Sequence, residues 1–175
     1  QKLTKKLKQA DRMWEYYNTV FLIFFKSFKQ EAYLLDAINR VDINAIEQNK
    51  NALMSTAKEG LEKLAKVEAF DGDNSIKEAC KQVLNFYIKE CEKSIPIALD
   101  FFLKKEHFEK SQKTFEALSK KDKTEEAVNS FNKAVNDYNS SIPTYNANNE
   151  SFNKERTSIL ENWNKTGSKF KSKHV

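Results

Sequence analysis

Few residues of this chain have side chains that could do chemistry, and they lie far apart. The 175 residues include two cysteines and two histidines. Cys80 and Cys91 fall within one helical pattern, roughly 16 Å apart along its axis, so they cannot form a disulfide with each other. His107 lies roughly 40 and 24 Å from them by the same rise, and His174 is near the chain end. The sequence therefore predicts no metal site, no cofactor and no catalytic cysteine–histidine pair, and we expect the protein not to be an enzyme.

Charged residues within apolar rows are the second kind of candidate, because a buried charge has to be compensated. Glu31 and Lys50 each occupy an apolar position of a predicted helix, and the two positions fall at the same height on adjacent antiparallel helices. We therefore predict a partly buried structural ion pair between Glu31 and Lys50 that fixes the register of the helices. A ligand pocket at this level is the alternative.

A second polar layer is predicted lower in the structure. Arg156 and Asn149 interrupt the apolar row of the last helix, and Glu90 on the preceding helix is the predicted partner of Arg156. Several aromatic residues converge near this level. The layer formed by Glu90, Asn149 and Arg156 is therefore expected to be either structural or the site of a small ligand.

Helices must position these residues, because the composition leaves little else. The chain contains only three glycines and two prolines, whereas sheets and phosphate-binding loops need many turn residues. Apolar residues recur at alternating spacings of three and four in four segments, which are 3–39, 43–69, 75–120 and 123–166, followed by a basic tail at 167–175. Short connections join them. The sequence thus predicts an all-α protein, residues 1–175 forming a single antiparallel up-down-up-down four-helix bundle.

The apolar rows also predict which face of each helix turns inward. On the first helix, the row consists of Leu7, Ala10, Trp14, Tyr17, Phe21, Phe24, Phe28, Leu35 and Ile38. Pro96 and Pro143 lie inside the third and fourth helices, and because proline removes a backbone donor we expect a bend at each. Gly167 is expected to end the fourth helix.

The charge distribution limits the partners. Thirty lysines and arginines against 25 acidic residues give a net charge of +5. Only three of the cations are arginines, which disfavours sequence-specific recognition of nucleic acid. Lysines cluster at both chain ends, at positions 2, 5, 6, 8, 165, 169, 171 and 173. In the predicted topology they gather at one pole, which we expect to face an anionic membrane surface, unless they merely solvate frayed ends.

The last helix also repeats an aromatic–asparagine dipeptide every seven residues, as Phe131-Asn132, Tyr138-Asn139, Tyr145-Asn146 and Phe152-Asn153. With Trp163-Asn164, this pattern resembles uncharacterised bacterial surface lipoproteins built as helical bundles, over the last helix alone. The resemblance implies export and attachment at the cell surface. It implies no catalytic or binding residue.

Together these observations predict a non-enzymatic bacterial protein outside the cytoplasm, periplasmic or at the cell surface with a lipid anchor. It would act through its surface on a protein or envelope partner of unknown identity. Two alternatives stay open. One is the ligand-sensing extracellular domain of a receptor, in which a cavity between helices moves one helix against another. The other is an intracellular protein that docks another helix.

Overall fold

All regular secondary structure of this chain is helical, in a computed structural model that describes residues 1–175. The helices are α1 (Lys2–Asn39), α2 (Ile43–Ala65), α3 (Ser75–Lys89), a π-helical turn (Glu90–Ser94), α4 (Ile95–Ala117) and α5 (Glu125–Lys173). The predicted all-α class is confirmed. Asp42 caps α2 by accepting a hydrogen bond from the Ala45 amide at 3.0 Å, which is the usual role of aspartate at this position.

The helix ends differ from the predicted ones in several places. The second helix ends at Ala65 rather than near 69, α4 ends at Ala117 rather than near 120, and α5 continues to Lys173. Most of the expected tail 167–175 is therefore helical. Gly167 does not end α5, because a helix accepts glycine at a cost of only about 1 kcal/mol. The ring of Tyr17 packs here, and a Cβ on Gly167 would lie 3.4 Å from it.

The chain forms two compact units, residues 1–91 with 153–175, and residues 92–152. In the first unit α1, α2 and α3 pack against one another, and residues 153–173 of α5 contact α1 and α3. In the contacts between neighbouring helices, residue numbers rise along one helix while they fall along the other. The contact pairs are Lys26–Glu59 and Gln30–Asn49 between α1 and α2, Phe24–Trp163 and Glu31–Arg156 between α1 and α5, and Gln82–Asn162 and Lys89–Glu155 between α3 and α5.

The inward face of α1 is only partly the predicted one. The buried residues of this helix are Met13, Val20, Phe24, Ser27, Glu31, Leu34 and Ala37. Trp14 and Phe28 of the predicted row are exposed instead. The segment 20–25 is apolar on every side of the helix. The inward face combines Phe24 and Glu31 of the predicted row with residues that each stand one position before a predicted one, namely Met13, Val20, Ser27 and Leu34.

In the second unit, α4 and the first half of α5 meet along a row of stacked aromatic rings. The centroid distances are 4.1 Å for Phe101–Tyr145, 5.1 Å for Phe108–Tyr138 and 4.8 Å for Phe115–Phe131, and each pair is within 7° of parallel. The rings recur every seventh residue on both helices, in opposite directions. At one end of the row, the Asn148 side-chain amide donates to Ser94 Oγ at 3.0 Å.

The two prolines occupy different helical contexts. Pro96 stands in the first turn of α4, directly after the π-helical turn Glu90–Ser94, where its missing N–H costs little. Pro143 lies inside the continuous helix α5. The π-helical turn adds a residue to the run that leads from α3 into α4, and such turns are frequent at functional positions.

We expect the stacked rings to stabilise the second unit. In a double-mutant cycle of Phe108→Leu and Tyr138→Leu, the coupling energy should be about 0.5–1.5 kcal/mol, the usual value for an aromatic pair. The free energy is measured by native-state hydrogen exchange of amides 92–152. The exposed Leu103 serves as the control, since Leu103→Ala should couple to Tyr138→Leu by less than about 0.5 kcal/mol. Equal coupling in both cycles would contradict the prediction.

Candidate functional site

A buried polar layer joins three helices of the first unit. Arg156 on α5 donates from Nε to both carboxylate oxygens of Glu31 on α1, at 3.0 and 3.1 Å. Its Nη2 donates to Glu90, where α3 passes into the π-helical turn. Its Nη1 donates to Asn153 at 2.7 Å. The planar guanidinium thus holds two carboxyl groups at once, which lysine cannot do with the same geometry.

The structure corrects two of the predicted site residues. The expected Glu31–Lys50 ion pair does not form, because Glu31 bonds to Arg156, while Lys50 reaches Glu47 on its own helix at 3.0 Å. Lysine on a flexible stem keeps its ammonium at the surface when a carboxylate one turn away is available. Asn149 lies in the second unit and is half-buried, whereas its neighbour Asn148 is the buried amide. The predicted contact between Arg156 and Glu90 is present in the structure.

The Glu90 carboxyl favours its protonated form. Burial is the main cause, and the adjacent carboxyl group of Glu31 adds to it, so that the pKa of Glu90 rises to about 9 although Arg156 acts in the opposite direction. The same two carboxyl groups outweigh burial at Arg156 and raise its pKa. With Glu90 protonated, one negative charge is enough to balance the guanidinium, which suits an apolar interior.

Further polar atoms of this region are buried and unpaired. Ser27 precedes Glu31 by one turn of α1, and Tyr87 precedes Glu90 by one turn of α3. The Ser27 Oγ, the Tyr87 hydroxyl and Glu90 Oε1 have no hydrogen-bond partner. Burial and then the nearby carboxyl groups of Glu31 and Glu90 raise the pKa of Tyr87. Height along the third helix places Tyr87 level with Arg156, whereas no sequence signal indicated Ser27 as a member of this layer.

The two ends of the chain meet at the turn 70–74. The buried ring of Phe70 packs on Tyr16 of α1 and Phe170 of α5, with centroids 5.2 and 5.5 Å away. The His174 Nε2 lies 2.8 Å from Asp73 Oδ2. Burial would raise the pKa of Asp73, but hydrogen bonds to His174 and Ser75 prevail and lower it. Residues 9–16 of α1 and the last turns of α5 therefore share one end of the first unit.

The solvent-facing side of α1 carries an unusual number of large apolar residues. Six of them, between 39% and 72% exposed, define what we call the outer face of α1: Leu3, Leu7, Trp14, Leu22, Phe25 and Phe28. The Phe25 ring lies 6.3 Å from that of Phe28. Lys171 of α5 places its ammonium 5.7 Å from the Trp14 ring. Clusters of exposed apolar side chains of this size mark interaction sites.

Metal sites, reactive cysteines and membrane-spanning helices are the other features that could indicate a function. No group of three or more histidine, cysteine or acidic residues is placed to hold a metal ion. Both cysteines are buried and free; burial raises the pKa of Cys80 to about 12. None of the helices combines the length and the hydropathy that crossing a bilayer requires.

Comparison with known proteins found no match. Neither the family models nor the curated proteins and solved structures searched included a significant relative of this chain.

The protonation of Glu90 predicts a pH dependence. In the unfolded chain Glu90 loses its proton near its ordinary pKa of 4.5, and in the folded protein near 9. Between these values only the folded state holds the proton, so the free energy of unfolding falls as pH rises, by up to about 1.4 kcal/mol per unit. Glu90→Gln lacks this loss, and its stability relative to the natural protein should increase from pH 5 to pH 9.

Chemical denaturation at several pH values measures this difference. Glu116→Gln, at an exposed position of α4, is the matched control and should give a constant difference. A constant difference for Glu90→Gln as well would show that Glu90 is ionised in the folded protein at neutral pH.

Removal of Arg156 tests the layer in another way. Arg156→Leu leaves two buried carboxyl groups without a cation, so the free energy of unfolding should fall by about 3–5 kcal/mol. Replacing Glu31 and Glu90 by methionine in the same variant should restore most of the loss. Arg40→Leu, which breaks an exposed pair with Asp36, should cost less than about 1 kcal/mol. Similar losses for both arginines would refute the buried layer.

Proposed function

We propose that this protein is a non-enzymatic component of the cell envelope, outside the cytoplasm, that docks the outer face of α1 on an anionic membrane surface. The observation that carries the proposal is the row of six exposed apolar side chains along the first 28 residues of α1. The exposed surface of such side chains contributes no burial free energy while it is in contact with water. They gain free energy when they enter the boundary between lipid headgroups and acyl chains.

The charges near this face favour an anionic surface over a neutral one. Four lysines lie in the first two turns of α1, at positions 2, 5, 6 and 8, and four more follow position 164 in α5. Both sets belong to the end of the first unit where Tyr16 meets Phe170. Each lysine near an anionic membrane contributes about 1 kcal/mol of attraction. The two nearest carboxylates of the turn, Asp71 and Asp73, are already engaged by Arg12 and by Lys173 with His174.

The proposal includes the arrangement of the helices. Within the first unit, the contact pairs support an up-down-up-down bundle of α1, α2, α3 and the end of α5, and within the second they support an antiparallel helix pair. Bends at Pro96 and Pro143 belong to the same proposal, since each proline lacks a backbone donor. In this arrangement the outer face of α1 follows one side of the first unit.

Self-association is the second candidate, favoured by the spacing of the same face. Leu7, Trp14 and Phe28 are separated by multiples of seven, with Phe21 at the remaining position, and such spacing is typical of helices that pair in coiled coils. A second copy would then cover the face. The envelope location is supported only by the resemblance of the last helix to surface lipoproteins and applies to either candidate.

Sedimentation with vesicles tests the membrane proposal. The protein should bind vesicles of phosphatidylglycerol and phosphatidylcholine, and bind vesicles of phosphatidylcholine alone much more weakly. Binding should weaken in 0.5 M salt, because salt screens the lysines. Trp14→Ser with Phe25→Ser should lower the affinity roughly tenfold, from the apolar area that no longer enters the lipid.

Leu103→Ser, which removes an equally exposed side chain from α4, is the matched control and should leave binding unchanged. Equal binding by the control and the double variant would refute the membrane proposal. If vesicles are not bound and the protein sediments as a dimer that Trp14→Ser dissociates, self-association is the better conclusion.

A further inference from the structure

An open groove of about 400 Å³ lies between α1 and α2 in the first unit. Its apolar lining includes Leu22, Ile23 and Phe25, all from α1. Two of these side chains, Leu22 and Phe25, are exposed. Pockets for small molecules usually measure roughly 300–1,000 Å³. The groove is thus large enough for one alkyl chain and too small for a large cofactor.

Positively charged side chains outnumber negatively charged ones in the lining of the groove. The charged residues are three lysines, Lys26, Lys29 and Lys63, and one carboxylate, Glu59. The contact between Lys26 and Glu59 is long, at 3.9 Å, and their side chains are 63% and 56% exposed. Such a pair contributes little. The groove therefore presents two uncompensated positive charges beside an apolar surface.

We propose that this groove binds one molecule of an anionic single-chain amphiphile. The alkyl chain would lie on Leu22 and Phe25, and the carboxylate or phosphate would lie among the ammonium groups of Lys26, Lys29 and Lys63. An apolar lining with a few convergent charged groups is the usual composition of a site that orients such a ligand. The chemistry is shared by free fatty acids and by single-chain membrane phospholipids.

The groove rests on the proposed function in one respect, because Leu22 and Phe25 also belong to the outer face of α1. The two proposals can still be tested separately, because each involves residues that the other does not. Trp14 belongs to the outer face alone, whereas Lys63 and Thr56 on α2 belong to the groove alone. Variants at these positions distinguish docking on a membrane from binding of a single amphiphile.

Calorimetric titration of the full chain with decanoate, below the concentration at which it forms micelles, is the direct test. One decanoate should bind per chain. Decyl maltoside, which has the same alkyl chain and no charge, should bind at least tenfold more weakly, and inorganic phosphate should not bind measurably. Equal affinities for decanoate and decyl maltoside, or no binding of decanoate, would overturn the proposal.

Two variants locate the site. The triple variant Lys26→Gln, Lys29→Gln, Lys63→Gln should lose at least tenfold in affinity for decanoate and keep its affinity for decyl maltoside. Thr56→Phe, which fills the groove from α2, should weaken both ligands. The matched control replaces Lys105, Lys113 and Lys120 of the second unit by glutamine and should bind decanoate normally. Circular dichroism confirms that each variant is folded, and unchanged binding by the first variant would exclude the groove.

Comparison with vesicle binding separates the two proposals. Trp14→Ser should weaken vesicle binding and leave decanoate binding intact. Loss of decanoate binding in Trp14→Ser would place the site on the outer face rather than in the groove, against the proposal. If the protein binds decanoate but does not bind vesicles, the result would support the groove as the binding site of a free amphiphile and would refute the proposed function. Binding of lysophosphatidylglycerol with higher affinity than decanoate would indicate a membrane lipid as the source.

Discussion

The structure of the first unit depends on the guanidinium of Arg156. This one group meets Glu31 of α1 and Glu90 at the end of α3, so three helices that are distant in sequence are held at the same level. A buried cation without partners would cost several kcal/mol, and so would the carboxylate of Glu31 without the cation. The three side chains must therefore be buried together, and this requirement fixes the height of each helix more strictly than apolar packing does.

The same layer determines what α1 presents to solvent. Glu31 shares its face of the helix with Val20, Phe24 and Leu34, so the rotation that brings Glu31 to Arg156 also turns these residues inward. Because Glu31 is held inward by two hydrogen bonds to Arg156, the part of the predicted row that contains Trp14 and Phe28 is left exposed.

The sequence was informative about the helices and about one contact of the site. Apolar periodicity located all four long helical runs, and heights along the helices led from Arg156 to Glu90. The pairing of Glu31 with Lys50 was wrong because height alone does not show which long side chain prefers water. Half of the row on α1 was misassigned because residues 20–25 are apolar all round, so periodicity alone could not fix the rotation of this helix. The π-helical turn Glu90–Ser94 was not predicted.

The two units are stabilised in different ways, and the difference bears on where function is expected. In residues 92–152 the aromatic rings stack on one another and remain half-buried, so much of the apolar surface of these rings is covered within the unit. In the first unit, Leu7, Trp14 and Phe25 are 59%, 46% and 42% exposed, so a large part of their apolar surface stays in contact with water. Their free energy of transfer is available only to a partner. The proposed membrane docking rests on this combination of an apolar face that stays exposed and neighbouring lysines, of which Lys173 pairs with Asp73.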